Sequence, residues 1–150
     1  MNKKILVIHG PNLHLLGQRE PGVYGKTSLE DINKKLVVKA KKLGFTVSTY
    51  QSNQEGQIID KITKSSYDLL IINPAAYTHT SIAIRDALAA IKKPVIEVHL
   101  SNIYKREDFR KKSLISDVAT GTISGFGENS YYLAIQAAEA LLNKINEKKN

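Results

Sequence analysis

The 150-residue sequence predicts a doubly wound α/β fold, a five-stranded parallel sheet with helices on both faces. Three observations predict it. Runs such as Ile5-Leu6-Val7-Ile8 and Leu69-Leu70-Ile71-Ile72 are apolar at every position, the pattern of strands covered on both sides. Between such runs lie segments whose apolar residues recur at helical spacing. The two kinds alternate along the chain with no linker and no internal repeat, which requires crossover connections and therefore parallel, right-handed units.

The elements follow in order. Ile5 to Ile8 is the first strand. A helix runs from near Ser28 to Leu43, with Leu29, Ile32, Leu36, Ala40 and Leu43 on one face. Thr27 and Glu30 have capping-box spacing, and Gly44 supplies the C-terminal stop. Phe45 to Tyr50, rich in β-branched and aromatic residues, is the second strand. Ile58 to Lys64 is a short helix, Leu69 to Ile72 the third strand, and Ser81 to Ile91 a helix capped by Thr80. Val95 to Leu100 is the fourth strand, Glu107 to Lys112 one short helical turn, and Thr122 to Ser124 the fifth strand. A last helix spans about Ser130 to Ile145. This is a flavodoxin-like order, whose ligand site lies outside the carboxyl ends of the strands. The expectation is a single catalytic domain over residues 1–150, with 143–150 a frayed basic tail.

Composition narrows the function. A hydrophobic content of 42% and a charged content of 24% are those of an ordinary soluble globular protein. The absence of cysteine excludes a disulfide framework and a thiolate metal site. No apolar run is long enough to span a membrane, and Met1-Asn2-Lys3-Lys4 leads directly into a strand without a secretory signal, so a cytoplasmic location is expected. The net charge of +8 is compatible with nucleic acid or with a small anion. Many of the lysines, however, fall along one helix (Lys34, Lys35, Lys39, Lys41, Lys42) and in the tail (Lys144, Lys148, Lys149), with no arginine-rich arm and no aromatic interleaving. That favours a solvated basic surface, with steering of an anionic substrate added, over nucleic-acid binding.

The polar residues gather where strands stop. His9, Asn12, Arg19 and Tyr24 follow the first strand; Gln51, Ser52 and Asn53, with Glu55 and Asp60 beyond, follow the second. Asn73 to Thr80 follow the third, and His99, Ser101, Asn102, Arg106 and Arg110 follow the fourth. Each has a plain structural reading: Arg19 a solvated charge, Tyr24 a loop anchor, His79 a helix cap, His99 a satisfied core histidine. Convergence on one sheet edge favours a shared pocket. A cation near a phenol favours the phenolate, so Arg19 and Tyr24 suit a tyrosine base. The chain carries no phosphate-loop or dinucleotide fingerprint, no metal-binding histidine spacing and no nucleophile motif. Acid–base groups and hydrogen-bond donors remain, which suit proton abstraction and elimination on a small polar substrate.

Four blocks, GPNLHLLGQREPGVYG, QSNQEGQIID, INPAAYTHTSIAIRDAL and IEVHLSN followed by RED, resemble the type II 3-dehydroquinate dehydratases over Ile5 to about Leu142. The resemblance implies dehydration of 3-dehydroquinate to 3-dehydroshikimate, in the shikimate route to chorismate and aromatic amino acids or in quinate breakdown. It implies no cofactor and no metal. It implies Tyr24 as general base, Arg19 as the lid residue that keeps it ionisable, His99 as general acid oriented by Glu97, and Asn12 as holder of a water on the enolate. Asn73, His79, Ser101 and Arg110 match the substrate-binding set, the main-chain amides of Leu100 and Ser101 match the carboxylate site, and Asp86 matches a residue reaching a neighbouring subunit. A homododecamer, a tetramer of trimers, is implied, with no nucleic-acid or membrane partner. Ala75, His14 and Tyr104 depart from the glycine, asparagine and histidine usual in the family. The alternative is a non-catalytic flavodoxin-like module binding a small anion, which would require Arg19, Tyr24 or His99 to be altered; all three are present.

Overall fold

A computed structural model describes residues 2–18, 22 and 26–150. Five strands form one sheet: β1 (Lys3–His9), β2 (Phe45–Gln51), β3 (Leu69–Asn73), β4 (Val95–His99) and β5 (Gly121–Ser124). Their order is β2-β1-β3-β4-β5 and every pairing is parallel. Among the elements that lie wholly within the described residues are the α-helices α1 (Leu29–Lys42), α2 (Glu55–Lys64), α3 (Ile82–Ala90) and α4 (Asn129–Lys149). This is the expected doubly wound, flavodoxin-like arrangement.

Strand alternation divides the core into two layers. Ile5, Val7, Leu69, Ile71, Ile96 and Val98 pack with Ile32 and Leu36 of α1 and with Tyr131, Ile135 and Leu142 of α4. Leu6, Ile8, Leu70, Ile72 and Val95 face the other way, against Ile58 and Ile62 of α2 and Ile84 and Leu88 of α3. The runs Ile5–Ile8 in β1 and Leu69–Ile72 in β3 are apolar at every position because both of their faces are covered.

Boundaries differ locally from expectation. The capping box of α1 sits one residue later: Ser28 accepts from the Asp31 amide at 3.1 Å and Asp31 accepts from the Ser28 amide at 3.2 Å. Ser28 holds the extended backbone (φ −78°, ψ 162°) that an N-cap needs, whereas Glu30 pairs with Lys34 and Thr27 donates to Glu128. Likewise Ser81, not Thr80, caps α3, accepting from the Ile84 amide at 2.9 Å. Gly44 does terminate α1, in the left-handed conformation (φ 83°). α4 is helical to Lys149, through the tail expected to fray. β4 ends at His99, so Leu100 already belongs to the loop. The short turn expected after it is a 3₁₀ turn, Asp108–Arg110. Among the described residues no helix is long and apolar enough to cross a membrane.

Candidate active site

The sheet reverses direction of growth between β1 and β3, and parallel register sets His9 beside Asn73 at the C-terminal edge there. Crossovers leave on opposite faces at this point, so the loops part and a crevice opens. Gly10 lets the loop after β1 approach the loop after β3. Its amide donates to the Asn73 carbonyl at 2.7 Å, and a Cβ at this position would come within 2.4 Å of the Pro74 carbonyl oxygen.

A cavity of about 450 Å³ lies over the ends of β1, β3 and β4. Asn12, Asn73, His79, His99, Leu100, Ser101 and Arg110, each expected at the site, line it. Pro11, Leu13, Leu15 and Leu16 from the first loop, Ala75, Ala76, Ile103, Arg106 and Glu107 complete the wall. Asn12 adopts the left-handed backbone (φ 69°), with its amide held by Asn53 Oδ1 at 3.0 Å. The residues at the end of β2 and just after it therefore brace the site rather than line it. Gln51 donates to both the Gly10 carbonyl and Asn53 Oδ1, each at 3.1 Å. Asp60 is turned away, paired with Lys64.

The floor is a buried acid–imidazole pair. His99 Nε2 bonds to Glu97 Oε2, and both side chains are almost fully buried. Ser116 donates to Glu97 Oε1 at 2.7 Å and Ser113 to Oε2 at 3.0 Å. Burial alone would raise the Glu97 carboxyl. The hydrogen bond and charge of His99, then the two serines, outweigh it and hold the group below the usual carboxylate range. Glu97 is thus an anion with its oxygens engaged, and His99 is left with Nδ1 as its uncommitted nitrogen. His79 Nδ1–H donates to the Lys112 carbonyl at 2.8 Å rather than capping α3, which leaves Nε2 for the cavity.

The rim is cationic. Arg110 Nε donates to Glu107 at 3.0 Å, and Arg106 bonds Ser101 Oγ at 3.3 Å. Glu107's own backbone amide and then Arg110 keep the Glu107 carboxyl below its ordinary value. Among the described residues, two guanidinium groups beside one carboxylate give a net positive edge suited to a substrate carboxylate. Asp86 lies on the exposed face of α3 and does not line this cavity, while the neighbouring Arg85 pairs with Asp117. Arg19 and Tyr24 lie outside the described residues. Among the described residues no cluster of three His, Asp or Glu side chains is placed to hold a metal ion.

Sequence reasoning missed the supports of this site. Ser113 and Ser116 fall in a stretch without periodicity; a carboxylate in an apolar strand was the signal that buried donors must exist. It also missed a second polar cluster behind the wall. His9 Nδ1 meets the Tyr131 hydroxyl at 2.7 Å, His9 Nε2 meets Asn33 Oδ1 at 2.8 Å, and Asn73 donates to Tyr131 at 3.1 Å. Burial pushes the His9 imidazole down to about 4, against the opposing effect of Asn33.

Comparison with known proteins shows the family and agrees with the fold. The profile of the family Dehydroquinase class II matches residues 3–139. A 3-dehydroquinate dehydratase of Francisella philomiragia is 58% identical over 144 residues, covering 96% of this chain and 97% of the relative. Among solved structures, the type II dehydroquinase of Propionibacterium acnes superposes with a TM-score of 0.89 at 43% identity, covering 93% of this chain and 98% of that one. That of Butyrivibrio crossotus gives 0.88 at 46% identity, over 91% and 97%. A cavity at the switch point of a β2-β1-β3-β4-β5 sheet, floored by a glutamate-bound histidine, thus belongs to a chain that matches one family over residues 3–139: the protein is a member of the class II dehydroquinase family.

Proposed function

We propose that the cavity dehydrates 3-dehydroquinate to 3-dehydroshikimate by an elimination divided between Tyr24 and His99. The observation that supports this most is the His99–Glu97 pair flooring a polar cavity at the switch point, in a chain of this family. Tyr24, as phenolate, takes the proton from the carbon next to the ketone. A free phenol has a pKa of about 10, and the Arg19 guanidinium favours the ionised form. The enolate oxygen is held through a water on Asn12. His99 then gives the Nδ1 proton to the departing hydroxyl, which leaves as water, and the enolate collapses to the conjugated enone. Tyr24 ends protonated and His99 deprotonated, so one proton transfer from the phenol to the imidazole, through solvent, resets both.

Asn73, His79, Ser101 and Arg110 hold the substrate's hydroxyls and carboxylate, with the Leu100 and Ser101 amides at the carboxylate. No metal and no organic cofactor takes part. The chain works as one catalytic domain in the cytoplasm, within the shikimate route, as a homododecamer in which exposed Asp86 reaches a neighbouring site. Appearance of the enone ultraviolet absorbance from 3-dehydroquinate, undiminished by a chelator, tests the chemistry. Absence of that absorbance would leave a small-anion binding module, and loss with chelator restored by metal would end the cofactor-free reading.

A further inference from the structure

Asn73 is the one member of the proposed substrate set whose side chain is held by a chain of buried groups. Its Oδ1 accepts from the Ala75 amide at 3.1 Å, and its Nδ2 donates to the Tyr131 hydroxyl at 3.1 Å. Tyr131 stands in the first turn of α4 and is fully buried. Beyond it lie His9 Nδ1 at 2.7 Å and, from the other ring nitrogen, Asn33 Oδ1 at 2.8 Å.

With every buried donor paired, the Tyr131 hydroxyl included, these groups admit one arrangement of protons. A main-chain amide can only donate, so the Asn73 oxygen faces Ala75 and its NH₂ faces Tyr131. A phenol has one proton; receiving an N–H from Asn73, Tyr131 directs its own to His9 Nδ1. That nitrogen is therefore bare, and Nε2 carries the ring proton to Asn33. The chain of donation runs Asn73, Tyr131, His9, Asn33, tying β3 through α4 and β1 to α1. Burial keeps the ring neutral, which the arrangement requires. Ala75 is held with φ 52° where its amide meets the asparagine oxygen.

An unrestrained carboxamide can turn over and offer either its oxygen or its N–H to a ligand. We propose that Tyr131 and His9 are positioning residues for the dehydratase reaction, locking the Asn73 amide so that its second N–H, and never its oxygen, is presented to an oxygen of the substrate. The amide's oxygen and one N–H are already engaged, and Asn73 lines the cavity. Presentation of a fixed donor favours a ligand oxygen with lone pairs free, a ketone or a hydroxyl accepting. This inference rests on the cavity being the dehydratase site.

A double-mutant cycle tests it. Tyr131→Phe keeps the ring and frees the amide, and KM for 3-dehydroquinate should rise about tenfold, the order of one net hydrogen bond, with kcat changed less. In an Asn73→Ala background the same change should cost less than about twofold, because no amide is left to lock. Equal cost in both backgrounds would overturn the proposal in favour of a purely structural role. His9→Asn places a carboxamide oxygen near the Nδ1 position and should stay within about threefold of the parent, while His9→Leu removes the acceptor and should repeat the loss. Should Tyr131→Phe fail to fold, His9→Leu carries the same cycle. Nitrogen–proton NMR of the free protein reads the lock without turnover. The Asn73 side-chain amide protons should exchange slowly, His9 should be the Nε2–H form, and amide protection should vanish in the Tyr131 or His9 variant. Fast exchange in the parent protein overturns the lock. Slow exchange in a protein that leaves 3-dehydroquinate unchanged supports the lock and overturns the functional reading alone.

Discussion

Tyr24, Arg19 and His99 divide the proposed reaction, and substitution separates their parts. Tyr24→Phe keeps the ring but loses the proton acceptor, and kcat should fall by roughly two to four orders of magnitude, the range of one acid–base group, with little change in binding. Arg19→Ala should also slow turnover and move the basic limb of the rate profile to higher pH, because the phenolate loses its cation. His99→Ala should slow loss of the hydroxyl more than loss of the proton. Exchange of the substrate α-proton with deuterium, read on recovered 3-dehydroquinate, should therefore survive better in the His99 variant; equal exchange in both would misplace the base. Residues of this kind are legible because a polar side chain standing where an apolar run stops has few structural reasons to be there. Asn12, Asn73, His99 and Ser101 were found that way, and the structure places them around one cavity. Ser113, Ser116 and Tyr131 were not, since a serine in an aperiodic loop and a tyrosine on an apolar helix face both look ordinary.

At the scale of elements, sequence pattern located β1 to β5 and α1 to α4, because each buried face imposes its own spacing on the chain. Helix starts were read one residue early at two places. Thr27 and Ser28, like Thr80 and Ser81, are adjacent hydroxyl residues, and composition alone does not say which keeps the extended backbone. The structure makes the distinction testable. Ser81 is buried and its hydroxyl accepts from the Ile84 amide, whereas Thr80 is exposed and its hydroxyl reaches only the Ala76 carbonyl at 3.5 Å. Ser81→Ala should lower stability by about 1 to 2 kcal/mol in urea unfolding, and Thr80→Ala by less than about 0.5 kcal/mol. A larger loss from Thr80→Ala would return the cap to that residue.

For the molecule as a whole, His9 links folding to pH. The unfolded chain binds a proton here below its ordinary value of 6.5, whereas the folded protein binds it only near 4. Stability is therefore complete above pH 6.5 and falls as pH drops toward 4. Between about pH 7 and about pH 5 the loss from this one group should be about 2 kcal/mol. The urea midpoint of His9→Asn should be correspondingly flatter over that range, and an unchanged slope would show that the imidazole is not buried as described. Carboxylates held low, such as Glu97, act below this window. The strand order carries a different consequence, for synthesis. β1 has β2 on one edge and β3 on the other, yet Ile5 must wait for Leu69, some 64 positions later, to cover its second edge. A growing chain that has emerged only through β2 holds an apolar strand with one open flank, a template for pairing with other chains. Long-range closure of this kind also slows folding. The seam between β1 and β3 thus stays open until β3 arrives, and the same seam that makes a place for substrate is where an unfinished molecule is exposed to its neighbours.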